Sequence, residues 1–159
     1  MHVAMAAPIG AFEVHAYAML SSPTLRDAYR RALELNPLHV ESRVNLGRLV
    51  HEAGHVHAAE SHYRLALATA PANTTGLYNL GVALAAEGRA EEAAARYREV
   101  LALNPSHPDA RTNLGLLDAT RLEREGNDLA ARGDLAAAVV RYQQAVALDP
   151  ARTHSQASL

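Results

Sequence analysis

Cysteine is absent from the chain, which excludes a disulfide framework, a thiol nucleophile and a thiolate zinc site, and suits a reducing compartment. Aromatic residues make up only 4% of the sequence, so any core must close through small and aliphatic side chains, with alanine letting helices pack closely. Basic residues are not in excess: 15 Lys and Arg face 17 Asp and Glu, for a formal charge of -2. That leaves no electrostatic footprint for nucleic acid. No run of about 18 uncharged apolar residues occurs, so no membrane-spanning helix is expected. Residues 1–20 are apolar, but no Lys or Arg precedes them and Glu13 and His15 interrupt them, which is not the pattern of a secretory signal. A cytoplasmic location follows as the expectation. Also missing are a glycine-rich phosphate loop after a strand, a G-x-S-x-G motif and any sustained strand-like alternation.

What is present is a repeat. Asn45-Leu46-Gly47, Asn79-Leu80-Gly81 and Asn113-Leu114-Gly115 recur at a spacing of 34 residues, a period typical of helix-turn-helix arrays. With that glycine as position 8, units start at Val40, Thr74 and Pro108. Gly54 and Gly88 then share position 15, Ala59 and Ala93 position 20, Tyr63 and Tyr97 position 24, and Pro71 and Pro105 position 32. Each marker has a mechanical role: small residues let antiparallel helices touch, glycine turns the chain, the aromatic fills the gap and proline opens the next helix.

This pattern resembles the tetratricopeptide-repeat (TPR) family, which places a small residue at 8, Ala at 20, an aromatic at 24 and Pro at 32. The resemblance implies an all-α, right-handed TPR solenoid of about three to four helix-turn-helix units within one domain. The units are a degenerate first one over 1–39, full ones over 40–73 and 74–107, a last one over 108–152, and a tail over 153–159. In the first, Tyr29, Ala32 and Pro37 fit, whereas Glu13 and Leu25 do not. Its second helix, from Pro23 to Leu35, is expected, with Ser22 as N-cap. In the last, Gly126, Gly133, Ala138, Tyr142, Ala145 and Pro150 keep the pattern 11 residues out of phase with Gly115. Eleven residues are close to three turns, which places Gly115 and Gly126 about 20° apart on one face. One long helix over roughly 109–131 follows.

In the family, positions 2, 5, 6, 9, 12 and 13 tend to face a concave surface. The resemblance therefore implies a peptide-binding face with Asn45, Arg48, His51, Tyr78, Asn79, Val82, Thr112, Asn113 and Leu116 as candidate contacts, beside Glu41, Val44, Glu52, Thr75, Ala85, Ala86 and Asp109. Asn45, Asn79 and Asn113 share position 6. A carboxamide offers an acceptor and two donors and can hold the N–H and C=O of an extended peptide regardless of its sequence. The arrangement is similar to the asparagine ladder of O-linked N-acetylglucosamine transferases; local capping or hydration of the asparagines is the plainer alternative. Tyr78 stands on the concave side, either as a binding hot spot or packed against a neighbouring helix. A different TPR subclass grips chaperone carboxylates with Lys or Arg, but here Val44, Asp109 and Asn113 stand where cations are needed.

His51-Glu52-Ala53-Gly54-His55 has the spacing of the zincin motif H-E-x-x-H, which works only when both histidines project from one continuous helix. In the repeat frame Gly54 is the turn glycine, so no metal site is expected, and His57 and His62 supply no clear third ligand. The functional expectation is a non-enzymatic scaffold or adaptor without cofactor, membrane or nucleic acid, binding a protein or peptide. The alternatives are a self-assembling oligomer, or the recognition module of a larger enzyme or regulator.

Overall fold

A computed structural model describes residues 23–149 of the chain. Among these residues the structure is helical, in seven helices: α1 (Pro23–Leu35), α2 (Val40–Glu52), α3 (Val56–Thr69), α4 (Thr74–Ala86), α5 (Ala90–Leu103), α6 (Pro108–Ala131) and α7 (Leu135–Leu148). The expected first helix of the degenerate unit, the Ser22 cap and the 153–159 tail lie outside the described residues. The chain divides into two compact units, Met1–Ala83 and Leu84–Leu159, with the boundary inside α4.

The turns within helix pairs follow from three glycines. Gly54, Gly88 and Gly133 have φ of +85°, +76° and +84°, a left-handed conformation in which a Cβ is strained. The next residue then donates its N–H to a carbonyl five residues back: His55 to Val50 at 3.1 Å, Arg89 to Leu84 at 2.9 Å and Asp134 to Leu129 at 3.0 Å. This closes the helix end in the manner of a Schellman motif. Side chains cap the starts of four helices: Asn73 Oδ1 accepts from the Gly76 N–H at 2.7 Å, and Asp134 Oδ1 from the Ala137 N–H at 3.1 Å. Histidine takes this place at two more starts, His39 Nδ1 accepting from Ser42 N–H at 3.2 Å and His107 Nδ1 from Ala110 N–H at 3.3 Å, whereas α3 and α5 begin without a side-chain cap. Arg43 and Arg111, each four residues after its histidine, donate to the carbonyls of Pro37 and Pro105 and tie the preceding turn down.

In the first unit α1 and α3 both pack on α2. A methyl on Gly47 would lie 2.7 Å from Tyr63 Cε1 and 3.0 Å from His62 Cβ, so α2 and α3 meet where only glycine fits. Tyr63, Ala59 and Ala66 are fully buried there. In the second unit α6 packs on both α5 and α7. The 24-residue α6 runs without a break from Pro108 to Ala131, the single helix that the 11-residue phase shift implies. Gly126 meets Tyr142 as Gly47 meets Tyr63, with a methyl there only 2.6 Å from Tyr142 Cε1.

Candidate peptide-binding face

Within the first unit the candidate residues come from α2 and α4. Asn45, Arg48 and His51 are half-buried on α2, while Glu41 and Glu52 are exposed. Val44 departs from the expected exposure: it is 3% exposed, because its Cγ2 supports the backbone of Gly76 at the start of α4. It belongs to the floor beneath the face. On α4, Tyr78, Asn79 and Val82 are half-buried and Thr75 is exposed. Neither the Asn45 nor the Asn79 side chain has a hydrogen-bond partner among the described residues, so both carboxamides keep their full donor and acceptor capacity. Arg48 pairs with Glu52 one turn on, which neutralises the guanidinium that would otherwise draw an acidic ligand.

Below this face lies Tyr63, whose buried hydroxyl has no partner among the described residues. Burial holds its phenol protonated, far above the ordinary range, with the nearby Arg48 opposing and Glu52 reinforcing the effect. His62 beside it is shifted the other way: burial, then the charges of Arg43 and Arg30, hold its imidazole below the ordinary histidine value. A cationic imidazole is disfavoured in a half-buried place already flanked by two arginines.

The second unit carries the remaining candidates on α6. Thr112 and Asp109 are exposed and Asn113 is half-buried. Unlike its two counterparts, Asn113 is engaged within the fold, its Nδ2 donating to Tyr97 Oη at 3.4 Å. Leu116 is 46% exposed and, with Thr112, Arg111, Gly115, Leu148 and Asp149, lines an open groove of about 390 Å³. The groove exists because Gly115 faces no aromatic; a methyl there would meet only the Leu148 carbonyl, at 3.7 Å.

The H-E-x-x-H sequence is split by the fold. His51 lies in the last turn of α2, Gly54 turns the chain, and His55 is the N-cap residue of α3, so the two histidines do not project from one helix as a zincin requires. No described helix is long and apolar enough to cross a membrane.

The fold and its face therefore define a helix-pair repeat scaffold. Residues 26–74 match a family model of the tetratricopeptide repeat and residues 81–117 match a second TPR repeat model. The chain belongs to the TPR family. Among solved structures, the first TPR of Spaghetti (RPAP3) bound to the HSP90 peptide SRMEEVD is 26% identical, with a TM-score of 0.57 over 58% of this chain and 73% of that one. A crystal structure of MamA is 17% identical and matches with a TM-score of 0.58 over 94% of this chain and 99% of that one. A second MamA structure matches at 17% identity and the same TM-score over 89% of both. The MamA likeness speaks for the fold alone. A search of curated proteins finds no match.

Proposed function

We propose that the protein is a scaffold or adaptor that captures an extended peptide segment of a partner through its backbone, on the face where α2 and α4 present Asn45 and Asn79. The observation that carries this reading is that the two asparagines occupy the same repeat position, are half-buried and have no partner among the described residues. Half-buried carboxamides without bonds favour a ligand that supplies N–H and C=O groups. Arg48, His51, Tyr78 and Val82 flank them and supply side-chain contacts. Thr112, Asn113 and Leu116 are the corresponding contacts of the second unit, with Asn113 already oriented by Tyr97. The likeness to a TPR bound to a peptide supports peptide capture as the mode. An acidic chaperone tail does not suit this face, because Arg48 is paired with Glu52 and Val44, one of the places where a clamp needs a cation, is buried. The role is that of a binding module, cytoplasmic and without cofactor.

The test starts from a peptide selected from a displayed random library and titrated by calorimetry. Replacing Asn45 and Asn79 together by alanine is expected to weaken binding at least tenfold with the circular dichroism spectrum unchanged. Equal affinity of wild type and folded variant would remove the asparagines from the site.

A further inference from the structure

The large apolar side chains left exposed are unevenly placed. Among the described residues, α7 alone carries Leu135 at 66%, Val139 at 52%, Val140 at 49%, Val146 at 42% and Leu148 at 48% exposure. Leu135, Val139 and Val146 fall four and seven residues apart, and with Tyr142 they form one stripe beside the face that Ala138 and Ala145 bury. That spacing is the seam by which one helix packs on another.

The same stripe is covered elsewhere in the chain. On α3, the counterpart of Val146 is Leu67, and Gly76 of α4 sits against it so closely that an added methyl would approach Leu67 Cδ2 to 3.3 Å. On α5, the counterpart of Val139 is Ala94, which is 3% exposed beside α6. On α7 no described helix follows.

We propose that this stripe is a self-association surface, taken by α7 of a second copy in a twofold pairing. Two features favour a copy over a charged partner. The stripe and its outer flank, with Ala136, Val140, Gln143 and Ala147, carry no charge, and the one charged side chain within the helix, Arg141, is already paired with Glu125 on α6. Pairing stripe to stripe therefore strands no ion. Size is the second: four half-exposed aliphatic side chains per copy, with the alanines and Gln143 at the rim, bury on the order of 1,000 Å² in total, about the least a specific interface requires. A weak dimer follows. This surface lies on α7, apart from the asparagine face, and stands whether or not that face binds peptide.

The experiment is sedimentation velocity on the full chain from about 1 μM to about 1 mM, a range that spans weak association, beside a Val139→Glu, Val146→Glu variant. Wild type is expected to pass from monomer to dimer over this range, and the variant to need at least tenfold more protein, with an unchanged melting temperature. A wild type that stays monomeric throughout, or a variant that dimerises equally, overturns the proposal. So does a wild type that stays monomeric beside a variant that melts earlier, since the stripe is then covered by the chain's own remaining residues.

Discussion

The α2–α3 pair of the first unit and the α6–α7 pair of the second are built on the same joint yet close to different degrees. In the first, Gly47 seats Tyr63, and the tyrosine is 0% exposed. In the second, Gly126 seats Tyr142 at an equally short approach, but Tyr142 remains half-buried and its hydroxyl donates to Asn127 Oδ1 at 2.8 Å. Gly115, which keeps the 34-residue count, has no tyrosine and borders an open groove instead. Register in this chain is therefore set by the contact between a glycine and an aromatic. Inserting three helical turns moves the joint along α6 without rotating it.

The largest effect that separates these regions is expected from filling the joints. Gly47→Ala and Gly126→Ala each force a methyl to within 3 Å of a tyrosine ring. Overpacking of this kind costs about 1–3 kcal/mol, reduced by the better helix propensity of alanine. Gly115→Ala meets nothing closer than ordinary contact and is expected to gain about 0.5–1 kcal/mol from propensity alone. Urea melts of the three variants should fall on opposite sides of wild type; a destabilised Gly115→Ala would mean that this glycine still seats a partner.

A smaller contrast lies in the hydroxyls. Tyr142→Phe removes a bond to Asn127 and is expected to cost about 0.5–1.5 kcal/mol, whereas Tyr63→Phe removes a buried hydroxyl without a partner and is expected to be neutral or stabilising. A Tyr63→Phe variant as destabilised as Tyr142→Phe would show that the Tyr63 hydroxyl is bonded after all.

The smallest effect is a dependence on acid confined to the first unit. Because the folded state holds His62 below its ordinary value, the unfolded chain binds the proton more readily. The stability tied to neutral His62 is complete above the ordinary histidine range and is lost as pH falls through the lowered folded value. His62→Gln is expected to flatten the fall in melting temperature below about pH 6.5. An unchanged slope would assign the acid sensitivity to other groups.

Much of this was readable from residues. The turn glycines and the Tyr63 and Tyr97 core positions follow from the 34-residue spacing, and the 11-residue shift points to one long α6 because it keeps helical phase, while its continuity from Pro108 to Ala131 is what the structure adds. The histidine caps were not legible, since His39 and His107 act through Nδ1 where Ser, Thr, Asp or Asn is the usual signal. Nor were the Arg43 and Arg111 ties to proline carbonyls, which depend on the fold of the turn. Val44 was misplaced for a similar reason: its repeat position faces outward in the family, but here it supports Gly76, a residue small enough to bring α4 down onto it. The engagement of Asn113 by Tyr97 likewise needed coordinates, because nothing in the sequence separates it from Asn45 and Asn79.

The central claim is that Asn45 and Asn79 read a peptide backbone, and the most direct measurement is an N-methyl scan of a selected peptide by calorimetry. Methylating the backbone nitrogens that bond the asparagines should cost at least tenfold in affinity, while alanine substitution of the same residues' side chains costs little. If side-chain substitutions abolish binding and N-methylation leaves it intact, the face reads sequence and the account is wrong.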